Sequence, residues 1–143
     1  MKVKDIMTDK VIKIAPQESV EVAARTLTQY NIGVLPVCRT DGTLCGLVTD
    51  RDLVTRCIAS NLDPAATPVK KIMTGQVISV TEDMEAGTAA CIMGVKQVHR
   101  LPVVENGKIT GMVSLGDVAK ENTLDAADAL GGIASNITEG ESC

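Results

Sequence analysis

The sequence predicts an α/β (α+β) fold made of two β-α-β-β-α repeats, related by a pseudo-two-fold axis with their sheets packed together. Three observations predict it. The first is self-similarity: "VKDIMT" at 3–8 returns as "VKKIMT" at 69–74, and "VLPV" at 34–37 returns as "RLPV" at 100–103, both at a spacing of 66. The second is a longer match, "GLVTDRDLV" from Gly46 against "GMVSLGDVA" from Gly111, at a spacing of 65 after a turn one residue shorter. The third is composition: 45% apolar and 22% charged residues suit a packed core and not disorder. With one Tyr and no Phe or Trp, that core must be built from Val, Ile, Leu, Ala and Met.

Each repeat has the same order of elements. A short β-rich run comes first, at 11–14 and at 77–80. An amphipathic helix follows. Val20, Ala23, Ala24 and Leu27 have the i, i+3, i+4, i+7 spacing of one buried face, with Ser19 as its N-cap, and Ala86, Ala89, Ala90 and Met93 repeat that face. A hairpin is next. Asp41-Gly42 and Asn106-Gly107 lie between apolar strands and tolerate the positive φ that tight turns need. A second helix begins at about Arg51 and about Gly116. The domain boundaries expected are repeat one at 1–60, a linker at 61–68, repeat two at 69–122 and a tail at 123–143 that is partly helical or disordered. In the tail, Leu124, Ala127 and Leu130 suggest a short helix that Gly131-Gly132 would stop.

The same numbers exclude several functions. A net charge of −4 and the lack of aromatic platforms argue against nucleic acid as a partner. No run of about 18 apolar residues is present, so no membrane span is expected, and the N-terminus lacks an apolar signal core. The five cysteines show no CxxC spacing, which suits reduced thiols and a cytoplasmic location. With a single His and no paired cysteines, no zinc site is expected. No enzyme is expected either, because one His would have to serve every catalytic role, and Cys91 should face the core.

The candidate site is the polar pair that occurs twice, Thr49-x-x-Asp52 and Ser114-x-x-Asp117. One explanation is a capping box, with the hydroxyl accepting an early helix N–H and the carboxylate reaching back to the cap. The other is a nucleotide site. A strand ending at a helix N-terminus suits an anion, and an ionised Asp can accept hydrogen bonds from both hydroxyls of a ribose. On the pattern alone, the cap outweighs the ligand. His99-Arg100 shifts the balance, since it makes a cationic spot fit for phosphate oxygens where repeat one has Gly33-Val34.

In the order of these motifs the chain resembles a tandem pair of CBS (cystathionine β-synthase type) domains, a Bateman module, from Val3 to about Asn122. The resemblance implies two clefts between the repeats that take an adenine nucleotide (AMP, ADP or ATP), or in some members S-adenosylmethionine or NAD. It implies that Asp52 and Asp117 contact ribose while Thr49 and Ser114 lie near phosphate. Ile12, Lys13, Ile32 and Gly33 in one repeat, and Ile78, Ser79, Val98 and His99 in the other, would flank the base. His99 and Arg100 would contact phosphate, and Arg51 would face the ligand. The cleft with Asp52 is expected to be the better site, because repeat two has Leu115-Gly116 where repeat one has Asp50-Arg51. The working unit implied is a stand-alone regulatory homodimer with no catalytic cofactor and an unidentified protein target. The competing expectation is a structural dimerisation or interaction module with empty clefts.

Overall fold

A computed structural model describes residues 1–134; the tail from 135 onward, including Cys143, lies outside the described residues. The elements run in the order α1 (Val3–Ile6), α2 (Val20–Tyr30), β1 (Val34–Cys38), β2 (Leu44–Thr49), α3 (Asp50–Asp52), α4 (Ala86–Lys96), β3 (Arg100–Glu105), β4 (Lys108–Ser114), α5 (Leu115–Glu121) and α6 (Thr123–Ala134). Helix α3 continues as a π-helical stretch over Leu53–Ile58, and a 3₁₀ turn occupies Val69–Lys71. The strands form two two-stranded sheets, β1-β2 and β3-β4.

The chain divides into two compact units whose limits differ from the sequence repeats. Among the described residues, unit I holds 1–11, 78–106 and 110–134, and unit II holds 12–77 and 107–109. The two "VK-x-IMT" segments are exchanged. In unit I the Val3 N–H donates to the Met84 carbonyl (2.8 Å), and Thr8 and Met112 exchange two backbone hydrogen bonds (2.8 and 2.9 Å). In unit II the Val69 N–H donates to the Glu18 carbonyl (2.8 Å), and Leu47 and Thr74 exchange two (3.0 and 2.9 Å). The tip of the second hairpin joins unit II, where the Leu44 N–H donates to the Gly107 carbonyl and the Ile109 N–H to that of Gly42 (both 3.1 Å).

Each unit has its own hydrophobic cluster. Val3 packs with Val80, Ala89, Ala90, Met93, Leu101, Val103, Val113 and Val118 in unit I. Val69 and Ile72 pack with Ile14, Val20, Ala23, Leu27, Leu35, Val37 and Val48 in unit II. The predicted helical faces are these buried faces, except that Ala24 is only half-buried.

Gly46 and Gly111 are where the exchanged segments cross β2 and β4. A Cβ on Gly46 would lie 2.5 Å from the Thr74 carbonyl oxygen, and one on Gly111 would lie 2.5 Å from Met7 Sδ and 3.0 Å from the Thr8 carbonyl oxygen. Both glycines serve close backbone approach.

Three expectations are corrected. The β-rich runs at 11–14 and 77–80 form no strand; each supplies one parallel bridge, Ile14 to Val37 and Val80 to Val103. Extending either ladder backward would need an N–H from Pro36 or Pro102, and proline has none. Forward extension fails at Pro16 for the same reason, and the Glu82 N–H donates to Glu105 Oε1 instead (2.8 Å). Gly131-Gly132 does not stop the last helix, which runs to Ala134. Its buried face is Ala126, Ala129 and Gly132, while Leu124 and Leu130 are exposed. Finally, Cys91 faces outward on α4 and is disulfide-bonded, whereas Cys38, Cys45 and Cys57 are free.

Candidate functional site

Both polar pairs close capping boxes. In unit II the Asp52 N–H donates to Thr49 Oγ1 (3.1 Å), and the Thr49 N–H donates to Asp52 Oδ2 (2.9 Å). In unit I the Asp117 N–H donates to Ser114 Oγ (3.2 Å), and the Ser114 N–H donates to Asp117 Oδ2 (2.8 Å). The strand-to-helix corner therefore has its first free N–H groups satisfied from within. Capping and ribose binding do not compete for the same oxygen, however. In each box the cap uses Oδ2, and a carboxylate has acceptor lone pairs on Oδ1 as well. In unit II, Asp52 Oδ1 also stands 3.6 Å from Arg56 Nε, and Arg56 Nη1 donates to the Ile72 carbonyl (3.1 Å).

A second pair of hydrogen bonds gathers the flanking candidates. The Asp50 N–H donates to the Gly33 carbonyl (3.0 Å), and the Leu115 N–H donates to the His99 carbonyl (2.8 Å). Ile32-Gly33 thereby sits beside Thr49–Asp52 in unit II, and Val98-His99 beside Ser114–Asp117 in unit I. Ile12 and Lys13 precede the Ile14 bridge to β1, and Ile78 and Ser79 precede the Val80 bridge to β3. Ile12 packs against the unit II cluster while Lys13, Arg51, Ser79, His99 and Arg100 are exposed, and Ile78 is 40% exposed. The fourteen candidates thus fall into one group of seven in each unit.

In unit I the corner opens onto a cavity of about 520 Å³. His99, Arg100, Ser114 and Thr123 are its polar lining residues. Leu115 and Ala119 of α5, with Ala126, Ala127 and Leu130 of α6, are its apolar lining residues. Its size lies within the range of about 300–1,000 Å³ usual for small-molecule sites. Asp117, Val98, Ile78 and Ser79 do not line it. The α6 residues escaped the sequence reading as site residues. Their only signal was the apolar spacing of Leu124, Ala127 and Leu130, of which the last two line the cavity. The repeats also differ at one further place: Arg56 of unit II corresponds, at the 65-residue spacing, to Glu121.

The chain belongs to the CBS domain family, whose model matches residues 3–58 and 69–123. The match comes twice, so the chain carries a tandem CBS pair. Uncharacterized protein YlbB of Bacillus subtilis is 39% identical over 142 residues, 98% of this chain and 93% of its own length. The crystal structure of hypoxic response protein I with two coordinated zinc ions is 29% identical, with a TM-score of 0.79 over 85% of this chain and 99% of that one. The CBS domain pair of protein MJ0100, solved in complex with 5′-methylthioadenosine and S-adenosyl-L-methionine, is also 29% identical, with a TM-score of 0.74 over 85% of this chain and 94% of that one. Among the described residues, no group of three or more His, Cys, Asp or Glu could hold a metal ion. No helix among them is long and apolar enough to cross a membrane.

Proposed function

We propose that this CBS pair is a regulatory module, not an enzyme, that binds an adenosyl ligand of the AMP, ADP or ATP class at its strand-to-helix corners. The observation that carries the reading is the unit I cavity, whose lining combines the Arg100 guanidinium, the His99 imidazole and hydroxyl groups with apolar residues of α5 and α6. Such a cavity can hold a flat base on one side and phosphate on the other. The adenosyl ligands of the MJ0100 pair support the ligand class. In unit II, Thr49, Asp52 and Arg51, with Ile12, Lys13, Ile32 and Gly33, form the corresponding set. In unit I the set is Ser114, Asp117, His99 and Arg100, with Ile78, Ser79 and Val98.

The module works as a cytoplasmic homodimer that passes ligand occupancy to a protein target. Exposed Val54 and Ile58, one helical turn apart, favour self-association.

Calorimetric titration with AMP, ADP, ATP, S-adenosylmethionine and 5′-methylthioadenosine tests the reading. Arg100→Ala should weaken the phosphate-bearing ligands roughly ten- to a hundredfold, the worth of one charge-assisted hydrogen bond. It should weaken methylthioadenosine far less. Absence of heat with all five ligands at millimolar concentration rejects the reading. The closed capping boxes favour a second reading, an interaction module without ligand. In that case Asp117→Ala costs about 1 kcal/mol of stability and alters no ligand response.

A further inference from the structure

Helix α6 lies almost wholly beyond the family match, which ends at residue 123, yet it supplies four of the ten residues that line the unit I cavity. It is held firmly on its opposite side. A Cβ on Gly132 would lie 2.7 Å from the Gly94 carbonyl oxygen, and one on Gly94 would lie 3.0 Å from Ala129 Cα, so the α4 and α6 backbones are in direct contact. The start of α6 is fixed as well, since the Leu124 and Asp125 N–H groups donate to Asn122 Oδ1 (3.1 and 3.2 Å). On this anchored helix the buried Ala126 and the exposed Ala127 and Leu130 line the cavity. These apolar side chains line the same cavity as the His99 imidazole and the Arg100 guanidinium.

We propose that α6 is the specificity wall of this cavity: Ala126, Ala127 and Leu130 take the flat aromatic ring of a ligand while His99 and Arg100 take its anionic end. The cavity therefore selects aromatic anions over neutral aromatics and over anions without a ring. This deepens the adenosyl reading by assigning the base to α6 and the phosphate to the strand start.

The test uses 8-anilinonaphthalene-1-sulfonate, an aromatic anion that is no nucleotide, titrated into the full chain and excited directly. The wild-type chain should bind it with enhanced fluorescence. Ala127→Trp fills the wall, Leu130→Glu places a carboxylate there, and Arg100→Ala removes the anion's partner. Each should weaken binding roughly tenfold or more. Residues 127 and 130 are solvent-exposed, so circular dichroism should show these variants folded. Gln29→Ala, at an exposed position of α2 in unit II, should leave binding unchanged.

Wild-type-like binding by both wall variants overturns the proposal, as does loss of binding in Gln29→Ala or absence of enhancement in the wild type. Competition separates it from the adenosyl reading. If the wall variants fail but AMP and S-adenosylmethionine never displace the probe, the wall stands and the adenosyl reading falls. If AMP gives calorimetric heat unaffected by the wall variants, the adenosyl reading stands and the wall falls.

Discussion

Gly46 and Gly111 occupy matching positions but should not respond alike to mutation. The atom nearest a Cβ at Gly46 is a backbone oxygen, that of Thr74, whereas at Gly111 it is the end of the flexible Met7 side chain. Backbone cannot yield as a thioether can, so Gly46→Ala should be the costlier change. Overpacking costs about 1–3 kcal/mol, and urea denaturation should show the alanine at 46 near the upper end and that at 111 lower. The capping hydroxyls give a second test at this scale. Ser114→Ala removes the acceptor for the Asp117 N–H and should cost about 1 kcal/mol in the same assay. The free thiols differ too. Burial pushes the Cys38 thiol up, against the opposing pull of the Lys13 ammonium, so less of it is thiolate at neutral pH. A maleimide should modify the partly exposed Cys45 before the buried Cys38 and Cys57 in the native protein, which peptide mapping can follow.

Among the elements, α6 shows why local rules misjudge a helix. Two adjacent glycines read as a stop, since each costs about 1 kcal/mol relative to alanine in a helix. The structure gives them opposite roles. Gly131 has open space around its Cβ position, and Gly132 abuts the Gly94 backbone. Gly131→Ala should therefore stabilise the protein by about 0.5–1 kcal/mol, while Gly132→Ala destabilises it; thermal unfolding of the two variants reads the sign directly. The hairpins show a subtler difference. Asn106 and Gly107 both take positive φ, as the Asn-Gly dipeptide suggests, but in the first hairpin only Gly42 does. There the turn closes from Gly42 N–H to the Arg39 carbonyl, and the register shifts by one residue at Cys38, absorbing the extra residue of that turn. The lost strands at 11–14 and 77–80 follow from prolines on the partner strands. A reading along one segment at a time weighs β-propensity but not the partner's missing donor.

For the whole molecule, the exchange of the two opening segments has a measurable consequence. Val3 is fully buried in the unit I cluster, although it belongs to the first sequence repeat. Deleting residues 1–8 should therefore loosen the unit built mainly from repeat two. Amide hydrogen exchange should quicken in α4 and β3 more than in α2 and β1, because the deleted residues hydrogen-bond to Glu82, Met84 and Met112. The sequence by itself determined the duplication, the helix-hairpin-helix order within each repeat, the buried faces of α2 and α4 apart from Ala24, both hairpin positions and the capping boxes. These are local or periodic features, decided by residues within a few positions of one another. It also marked Ser114, His99 and Arg100, which the fold brings together at one cavity. Only the tertiary structure decided which opening segment packs with which repeat, that Gly46 and Gly111 are needed for backbone contact, and that α6 walls the cavity. The two opening segments are nearly identical as sequence, so either could have docked on either repeat. Their placement depends on contacts between residues far apart in the chain, from Leu47 with Thr74, 27 positions apart, to Thr8 with Met112, 104 apart, and no short-range pattern records such contacts.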